Sequence, residues 1–234
     1  MTDLINTFAK KRLTTRRYYI DQFFFRRAPR LASNSLILDL GGDRLAKRGE
    51  FDINRYPVRV ITANLSPRKS PNLLANAVDL PFRMSIFDCI ICAELFEHVP
   101  DPTRVLAEAF RLLRPGGVLL ATVPFLYRIH ADPSDYARYT AQYWQELLPQ
   151  VGFTTVEVEP QGFFFSVLSD FAHFYASEIG FPRPFGRLAN ALVARLMVWA
   201  VRRDRLVEPQ KDQALSRFTT GFGLAAVKPA VEGR

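Results

Sequence analysis

Cysteine, histidine and long apolar runs are scarce in this chain of 234 residues, which has two cysteines and three histidines. Two cysteines cannot form the disulfide framework that is typical of small secreted proteins. The amino-terminal residues contain no continuous apolar stretch of the kind found in a cleaved signal peptide, so a cytoplasmic location is expected by default. The most apolar stretch, residues 188–201, is interrupted by Arg195 and is too short to span a bilayer.

Sites for metal ions are also not indicated. Cys89 and Cys92 have the spacing CxxC, but they lie in the apolar run FDCIICA, where strand periodicity directs residues three apart to opposite faces. A zinc or redox site is therefore not expected. Elsewhere the histidines and carboxylates show no spacing typical of metal ligands, so the sequence predicts no bound metal.

Acidic residues are outnumbered by basic ones, 23 to 31, which gives a formal net charge of +8. A basic surface attracts nucleic acids, acidic lipid headgroups and phosphorylated substrates, and charge alone does not choose among them. Much of the excess precedes the first predicted strand: Lys10, Lys11, Arg12, Arg16, Arg17, Arg26, Arg27 and Arg30. This segment is either a solvated helix face or a surface for anions or membranes. No recognition module or base-flipping motif is visible, so nucleic acid is not an expected partner.

Short apolar runs from residue 35 onward predict a parallel sheet covered by helices. The runs span residues 36–40, 58–63, 73–78, 87–93 and 117–123, and they are apolar on both faces. Asp101 and Pro102 begin a predicted helix that the sequence RPGG ends, which makes a βαβ unit. A second helix starts near Thr140 and ends at Gly152, and strands at 153–160 and 217–227 follow.

These elements predict an α/β fold, a Rossmann-like doubly wound sheet of seven strands. Five strands lead into helices, and the last strand is antiparallel. The core covers residues 31–160 and 217–230. Residues 1–30 form a basic and aromatic helical segment, and residues 161–216 form a helical insertion. The insertion is rich in aromatic residues: Phe163, Phe164, Phe165, Phe171, Phe174, Tyr175, Phe181 and Phe185.

Two motifs in the core give the chain a family resemblance. The segment FDCIICAELFEHVPDP contains the predicted fourth strand and its end, and LLRPGGVLLATVP contains the fifth. With the order of elements, they resemble class I S-adenosylmethionine-dependent methyltransferases, in particular the group acting on small molecules. The resemblance implies S-adenosyl-L-methionine as the cofactor.

The turn after the first strand matches the family pattern DxGxGxG only in part. Asp39 and Gly41 occupy the first two fixed positions, whereas Asp43 and Leu45 occupy the next two and Gly42 lies off the pattern. In the family this turn passes close to the methionine part of the cofactor, which glycine permits. The alternative is a tight turn between strand and helix that binds no ligand.

The resemblance assigns further cofactor contacts to the ends of the next strands. Asn64 stands where the family has an acidic residue that binds the ribose hydroxyls, or it is simply a turn asparagine. Asp79 matches the residue that accepts a hydrogen bond from the adenine amino group, with Leu80 and Phe82 beside the base. Glu94, at the carboxyl edge of the sheet, faces the cofactor or its methionine end.

Candidate catalytic residues lie in the loop PFLYRIHADPSDYARYT, which resembles a loop in methyltransferases of cell-surface sugar and polysaccharide pathways. His130 is the first candidate for the general base because its ordinary pKa is nearest neutrality, and Asp135 is the second. In the alternative interpretation Asp135 pairs with Arg138 and pins the loop. Glu97 and His98 are interpreted as scaffolding groups, with His98 as a less favoured base.

The sequence thus predicts transfer of a methyl group to an oxygen of a small-molecule or lipid-linked acceptor, with a sugar among the candidates. The competing hypothesis is a methyltransferase-like fold with weakened cofactor binding that acts as a binding or assembly partner. A nicotinamide-dependent dehydrogenase is disfavoured because GGDRLA is not GxGxxG. We expect the insertion at 161–216 to cover the acceptor. Peripheral contact with the inner face of a membrane and a homodimer surface remain open.

Overall fold

A computed structural model describes residues 4, 7–9, 13–45, 48–179 and 185–230. The chain divides into two compact units. The first combines Met1–Ile20 with Pro160–Gly221, and the second combines Asp21–Glu159 with Phe222–Arg234. The predicted insertion, residues 161–216, therefore falls entirely within the first unit. Lys10, Lys11, Arg12 and Phe181, which the sequence singles out, lie outside the described residues.

The strands form one seven-stranded sheet with the order β3-β2-β1-β4-β5-β7-β6. Their bounds are Leu36–Leu40 (β1), Arg59–Asn64 (β2), Leu73–Leu74 (β3), Phe87–Ala93 (β4), Leu113–Pro124 (β5), Thr154–Pro160 (β6) and Gly221–Val227 (β7). Strands β1 to β5 pair in parallel, and β7 runs antiparallel to β5 and β6. The predicted fold class is confirmed.

Local signals fix the ends of the helices. The helices are Thr15–Arg27 (α1), Pro102–Leu112 (α2), Ala141–Val151 (α3), Phe164–Ile179 (α4), Phe185–Asp204 (α5) and Gln213–Ser216 (α6). The Asp101 side chain accepts a hydrogen bond from the backbone N–H of Thr103 and caps α2, as predicted. The Thr140 hydroxyl caps α3, and Gly152 ends it with a φ of 114°.

Three details differ from the expectations. The third strand is only two residues long, because Asn76 forms a turn in which its backbone oxygen accepts from the Asp79 N–H at 3.1 Å. The RPGG segment was expected to be a turn between α2 and the fifth strand, but it forms part of β5. Among the described residues, β1 and β2 lead into short 3₁₀ turns, and β3 leads into an irregular loop, so the expectation of five strand-to-helix connections is wrong.

The hydrophobic core of the second unit contains side chains of α2 and both cysteines. On α2, Val105, Ala109 and Leu112 are fully buried in the hydrophobic core, as the helical spacing predicts. Cys89 and Cys92 are buried, unpaired side chains of β4, and burial raises the pKa of both thiols. Both cysteines therefore act as small apolar core residues.

In the described part of the chain, no helix is long and apolar enough to cross a membrane.

The first unit contains a smaller hydrophobic core and the buried aspartate Asp170. Phe8 and Tyr18 pack against the buried side of α5. Asp170 accepts hydrogen bonds from the backbone N–H groups of Thr15 and Arg16 at 2.8 and 3.0 Å and thus caps α1. Burial raises the pKa of Asp170 to about 6.

Several arginines of the basic amino-terminal segment are paired. Arg26 contacts Glu159 at 2.5 Å, and Arg27 contacts Glu157 at 2.9 Å. Arg16 is buried and donates to the side-chain oxygen of Gln161 at 2.5 Å. These three side chains therefore serve intramolecular contacts.

Candidate functional site

The predicted site residues of the second unit lie at one edge of the sheet. Strands β1, β2, β4 and β5 are parallel neighbours, so their carboxyl ends meet at the same edge. This edge carries the turn at Gly41, then Asn64, then Glu94 and finally the loop at residues 125–139. In open α/β sheets this is the edge at which ligands bind.

The turn after β1 contains two glycines, Gly41 and Gly42. Gly41 has a φ of 82°, a conformation that glycine adopts without strain, and its N–H donates to the Ala63 oxygen at 2.8 Å. A Cβ atom on Gly42 would lie 2.1 Å from the carboxylate of Asp39. Since any side chain at residue 42 would displace Asp39, the glycine and the aspartate form one packed unit. Glycine is therefore favoured at position 41 by the backbone conformation and at position 42 by the space that Asp39 occupies.

Asn64 braces this turn. Its side-chain Nδ2 donates to the backbone oxygens of Gly41 and Gly42 at 2.8 and 2.9 Å, while its Oδ1 accepts from the N–H of Ser66 at 2.9 Å. An acidic side chain could make the last contact but not the first two, because a carboxylate has no donor. The ribose contact implied by the resemblance stays a prediction.

The two positions that depart from the glycine pattern have defined structures. Asp43 accepts from the N–H of Leu45 at 3.0 Å and faces the Lys69 ammonium at 3.8 Å. Lys69 also contacts Asp132, in the loop after β5, at 3.5 Å, and Arg48 contacts the same carboxylate at 3.2 Å. Burial opposes ionisation of Asp132, but Lys69 and Arg48 outweigh it and hold the pKa of this carboxyl below its ordinary value.

A charged pair on α2 fixes the segment after β3. Glu108 accepts from the N–H of Leu80 at 2.9 Å, and Arg111 donates to the backbone oxygens of Leu80 and Phe82 at 3.2 and 3.0 Å. The Asp79 side chain is exposed, whereas the Leu80 side chain is buried in the core. Sequence reasoning missed this clamp, although Glu108 and Arg111 have the i,i+3 spacing of a helical ion pair.

Glu94 has a strained backbone. Its φ of 53° lies in the left-handed region, which non-glycine residues rarely adopt. The N–H of Glu94 donates to the Thr122 oxygen at 2.9 Å, between the ends of β4 and β5. Strain of this kind is concentrated at functional sites. Glu94 thus combines a strained backbone with a position at the carboxyl edge of the sheet.

A buried carboxylate lies between two imidazoles beside Glu94. The Glu97 Oε1 atom is 3.5 Å from the Nε2 of His98 and 3.8 Å from the Nε2 of His130. The Nδ1 of His98 lies 2.6 Å from the Ser134 oxygen, and that of His130 lies 3.2 Å from the Arg128 oxygen. Because a carbonyl only accepts, these contacts assign the ring proton to Nδ1 in both imidazoles.

His130 is neutral near pH 7. Burial is the main cause that lowers the pKa of its imidazole below the ordinary value. With Nδ1 carrying the proton, the lone pair of Nε2 is available to accept another. His98 is instead held by the loop that it contacts, which agrees with a scaffolding role.

Asp135 is engaged in an ion pair. Both of its oxygens contact the guanidinium of Arg138, one of them at 2.7 Å, and Oδ2 also accepts from the backbone N–H of His130 at 2.8 Å. Arg138 lowers the pKa of Asp135 to about 2. Such a weak base is poorly suited to remove a hydroxyl proton, whereas its contacts position His130.

One group of residues has the geometry of a cation site. Glu97, His98 and His130 each offer one ligand atom, and these three atoms lie within 4.8 Å of one another. The sequence predicts no metal because residues 97, 98 and 130 show no motif spacing. Only the folded loop after β5 brings the third ligand atom to the first two.

Comparison with known proteins agrees with the fold. Residues 42–121 match the family model of a methyltransferase domain. A ubiquinone biosynthesis O-methyltransferase of Xanthomonas oryzae pv. oryzae (strain PXO99A) is 41% identical over 66 residues, which are 27% of this chain and 26% of the relative. The chain therefore matches about a quarter of the length of this curated relative.

Two solved structures share the fold at low sequence identity. The [4+2]-cyclase SpnF has a TM-score of 0.59 and 18% identity, with 92% of this chain and 81% of that chain covered. Phosphoethanolamine N-methyltransferase 2 of Haemonchus contortus, in complex with S-adenosyl-L-methionine, has a TM-score of 0.52 and 14% identity, with 91% and 56% covered. The chain thus contains a methyltransferase domain match within a methyltransferase-like fold.

Proposed function

We propose that this chain is an S-adenosylmethionine-dependent methyltransferase that methylates a hydroxyl group of a small-molecule or lipid-linked acceptor. The observation that carries the proposal is the braced glycine turn at Gly41 and Gly42. It lies at the same sheet edge as a neutral, partly buried imidazole, that of His130. The match of residues 42–121 to a methyltransferase domain supports the choice of reaction.

The residues at the end of β1 fit the cofactor. A Cβ on Gly42 would overlap the Asp39 carboxylate, so the glycine allows the Asp39 side chain to pack against the turn. We assign cofactor binding to Asp39, Gly41 and Gly42, with the adenine at Asp79 and the methionine end near Glu94. When bound, S-adenosylmethionine supplies a methyl group on a positively charged sulfur for in-line displacement.

His130 removes the proton of the acceptor in this proposal. Its Nε2 accepts the hydroxyl proton, and its Nδ1–H remains bonded to the Arg128 oxygen, which keeps the ring oriented. The Glu97 carboxylate, 3.8 Å from Nε2, stabilises the imidazolium that forms. Asp135 acts as a positioning residue through the backbone of His130.

An oxygen acceptor is favoured by this base. A hydroxyl must lose a proton to become an effective nucleophile, and the neutral imidazole provides a place for it. The relatives named as O-methyltransferases agree, over the 66 residues that match. The resemblance of the loop after β5 to those of sugar and polysaccharide pathways adds sugars, free or linked to lipid, to the acceptors to be tested.

A turnover assay tests the proposal. The chain is incubated with S-adenosylmethionine and separate panels of sugar nucleotides, lipid-linked sugars and phenolic alcohols, and release of S-adenosylhomocysteine is measured. We expect release that depends on one panel and a product methylated on oxygen. Methylation only of nitrogen or carbon, or no release with any panel despite cofactor binding, would overturn the acceptor class.

A second function is favoured by one observation. Asn64 uses both amide hydrogens on the glycine turn, and so lacks the pair of acceptors that binds ribose in the family. A methyltransferase-like protein with weak cofactor binding could act as an assembly partner. Direct measurement of cofactor affinity separates the two functions, because the second requires no binding at physiological concentrations.

A further inference from the structure

The helix pair α4 and α5 of the first unit carries apolar side chains on its outer side. On α4, Leu168, Phe171 and Tyr175 are exposed, and their spacing of three and four residues places them on one face of the helix. Tyr175 is 67% exposed. The opposite side of α4 is buried and includes Val167 and Asp170, so the exposed row is not a consequence of a loosely packed helix.

Helix α5 is apolar on two sides. Met197, Val198 and Val201 face the core of the first unit. Leu188, Leu192 and Trp199 are exposed, Leu188 by 58% and Trp199 by 45%, and helical periodicity places all three on one side. A surface helix normally has one apolar side, which faces the core, and a polar side in contact with water. The second apolar side of α5 is therefore not explained by packing within the first unit.

The two rows are joined through aromatic contacts. The ring of Trp199 lies 5.0 Å from that of Phe165 on α4, in an edge-to-face arrangement. Phe165 lies one turn before Leu168, so the row on α4 continues to Trp199 on α5. We refer to Leu168, Phe171, Tyr175, Leu188, Leu192 and Trp199 as the apolar face. A contiguous exposed apolar surface of this kind marks an interaction site.

Exposed arginines of α5 lie beside the apolar face. Arg195, Arg202 and Arg203 of α5 are exposed, and Arg195 lies between Leu192 and Trp199 at helical spacings of three and four. The guanidinium of Arg203 lies 5.8 Å from the ring centre of Phe165. The acidic residue of α5, Asp204, is buried and accepts from the N–H groups of Phe163 and Ser166.

Acidic side chains contribute little to this outer surface. Within α4, Asp170 is buried, and Glu178 is exposed near the carboxyl end of the helix. The outer side of the pair therefore combines leucines, aromatic rings and positive charge. Such surfaces insert shallowly between lipid headgroups, where the arginines meet phosphates and the tryptophan and tyrosine rings lie at the boundary with the acyl chains.

We propose that the apolar face and its arginines bind the surface of a bilayer that contains anionic phospholipids. Neither helix is long and apolar enough to cross the membrane, so the pair lies on it. A second copy of the chain fits less well. A twofold interface through this face would bring Arg195 and Arg202 of both copies together with few acidic partners. The proposal does not depend on the reaction assigned above.

Vesicle flotation of the full chain tests this surface. The probes are vesicles of phosphatidylcholine alone and of phosphatidylcholine with phosphatidylglycerol. We expect the chain to float with the anionic vesicles, to float less at high salt, and to remain in solution with phosphatidylcholine alone. A chain that stays in solution with both kinds of vesicle would overturn the proposal.

Two variants and two controls locate the contact. Leu188→Gln with Leu192→Gln removes apolar contacts, and Arg195→Glu with Arg202→Glu reverses charge. In the arginine variant, we expect the loss of two basic contacts alone to lower partitioning onto the anionic vesicles by about thirtyfold. Met84→Gln and Arg83→Glu are matched changes at exposed sites of the second unit and should leave flotation unchanged. Melting temperatures check that all variants fold.

Two results would contradict the assignment of this surface. Wild-type partitioning by both double variants would place the lipid contact elsewhere. A dimer in solution that the leucine variant dissociates, with no flotation of the wild-type chain, would identify the apolar face as a surface between copies.

Discussion

The side chain of Asn64 donates to the backbone oxygen of Gly41 at 2.8 Å, and the same amide donates to Gly42 at 2.9 Å. The end of β2 thereby fixes the turn at the end of β1. An asparagine in place of the acidic residue expected from the family resemblance is thus part of how this chain holds its turn.

Asn64→Asp separates two roles of this residue. If Asn64 braces the turn, the carboxylate lacks both donors and faces two carbonyl oxygens. We then expect a loss of about 2 kcal/mol in stability and weaker binding of S-adenosylhomocysteine. If the residue binds ribose, the aspartate should bind more tightly. Calorimetry gives the sign, and tighter binding by the variant would contradict the brace. Asn190→Asp, at an exposed position of α5, is the matched control.

His130→Gln tests the general base. Removal of the imidazole should lower kcat by about a hundredfold to ten-thousandfold, with a small change in KM. In the wild-type chain the lowered pKa of His130 means that the active neutral form persists below pH 6.5, the ordinary value, and kcat falls only at lower pH. A pH profile of kcat measures this. Wild-type kcat in the variant would rule out His130 as the base.

A chelator provides the complementary control on the same residues. If the base acts without a metal, treatment with EDTA leaves kcat unchanged. Loss of activity on chelation, with recovery on adding a divalent ion, would show that Glu97, His98 and His130 hold a cation, as their geometry allows.

Asp135→Asn distinguishes positioning from proton transfer. The change disrupts the ion pair with Arg138 and weakens the support of His130, so we expect lower kcat and a loss of about 2 kcal/mol in stability. The pH midpoint of kcat should stay close to that of the wild-type chain. Since Arg138 lowers the pKa of Asp135 to about 2, this stabilisation is present above the unfolded value and is lost as pH falls towards 2. A pH-independent kcat in the variant would instead identify Asp135 as the base.

Local signals predicted much of the fold. The capping residue Asp101 and the terminating Gly152 act through contacts within a few residues, so sequence alone identified both helix ends. Strands β1, β4 and β5 were recognisable because their apolar runs are largely buried on both faces. The third strand was predicted too long because Asn76 forms a turn, through its backbone oxygen and its side chain, that apolar periodicity does not encode.

The site was less predictable because its contacts are long-range. Asn64 reaches back 23 residues to Gly41, and Glu97 meets His130 only in the folded loop. Sequence reasoning named the pair of Asp135 and Arg138, which are three residues apart, but not the partners of Asn64 and Glu97. The clamp of Glu108 and Arg111 on Leu80 was missed, because a helical ion pair does not show which backbone it binds.

The pH dependence of stability tests the burial of Asp170. Its pKa is raised to about 6, above the ordinary value of 3.8, so its contribution to stability is present below that value and is lost as pH rises through 6. The loss amounts to about 3 kcal/mol between about pH 4 and pH 7. Urea unfolding at several pH values measures it.

Asp170→Asn should flatten this pH dependence, since an amide does not titrate. Asp101→Asn, at an exposed helix cap, should retain the wild-type dependence. Equal slopes in Asp170→Asn and the wild-type chain would show that Asp170 does not titrate as proposed.

The most direct test of the proposed function is calorimetric titration of the wild-type chain and Gly41→Val with S-adenosylmethionine and S-adenosylhomocysteine. Gly116→Val is the control, because its φ of 78° imposes similar strain where nothing lies within 4 Å. We predict saturable binding by the wild-type chain and the control, and at least about tenfold weaker binding by Gly41→Val, with all three folded. No heat from the wild-type chain at millimolar ligand, or undiminished affinity in Gly41→Val, would contradict a cofactor site at this turn.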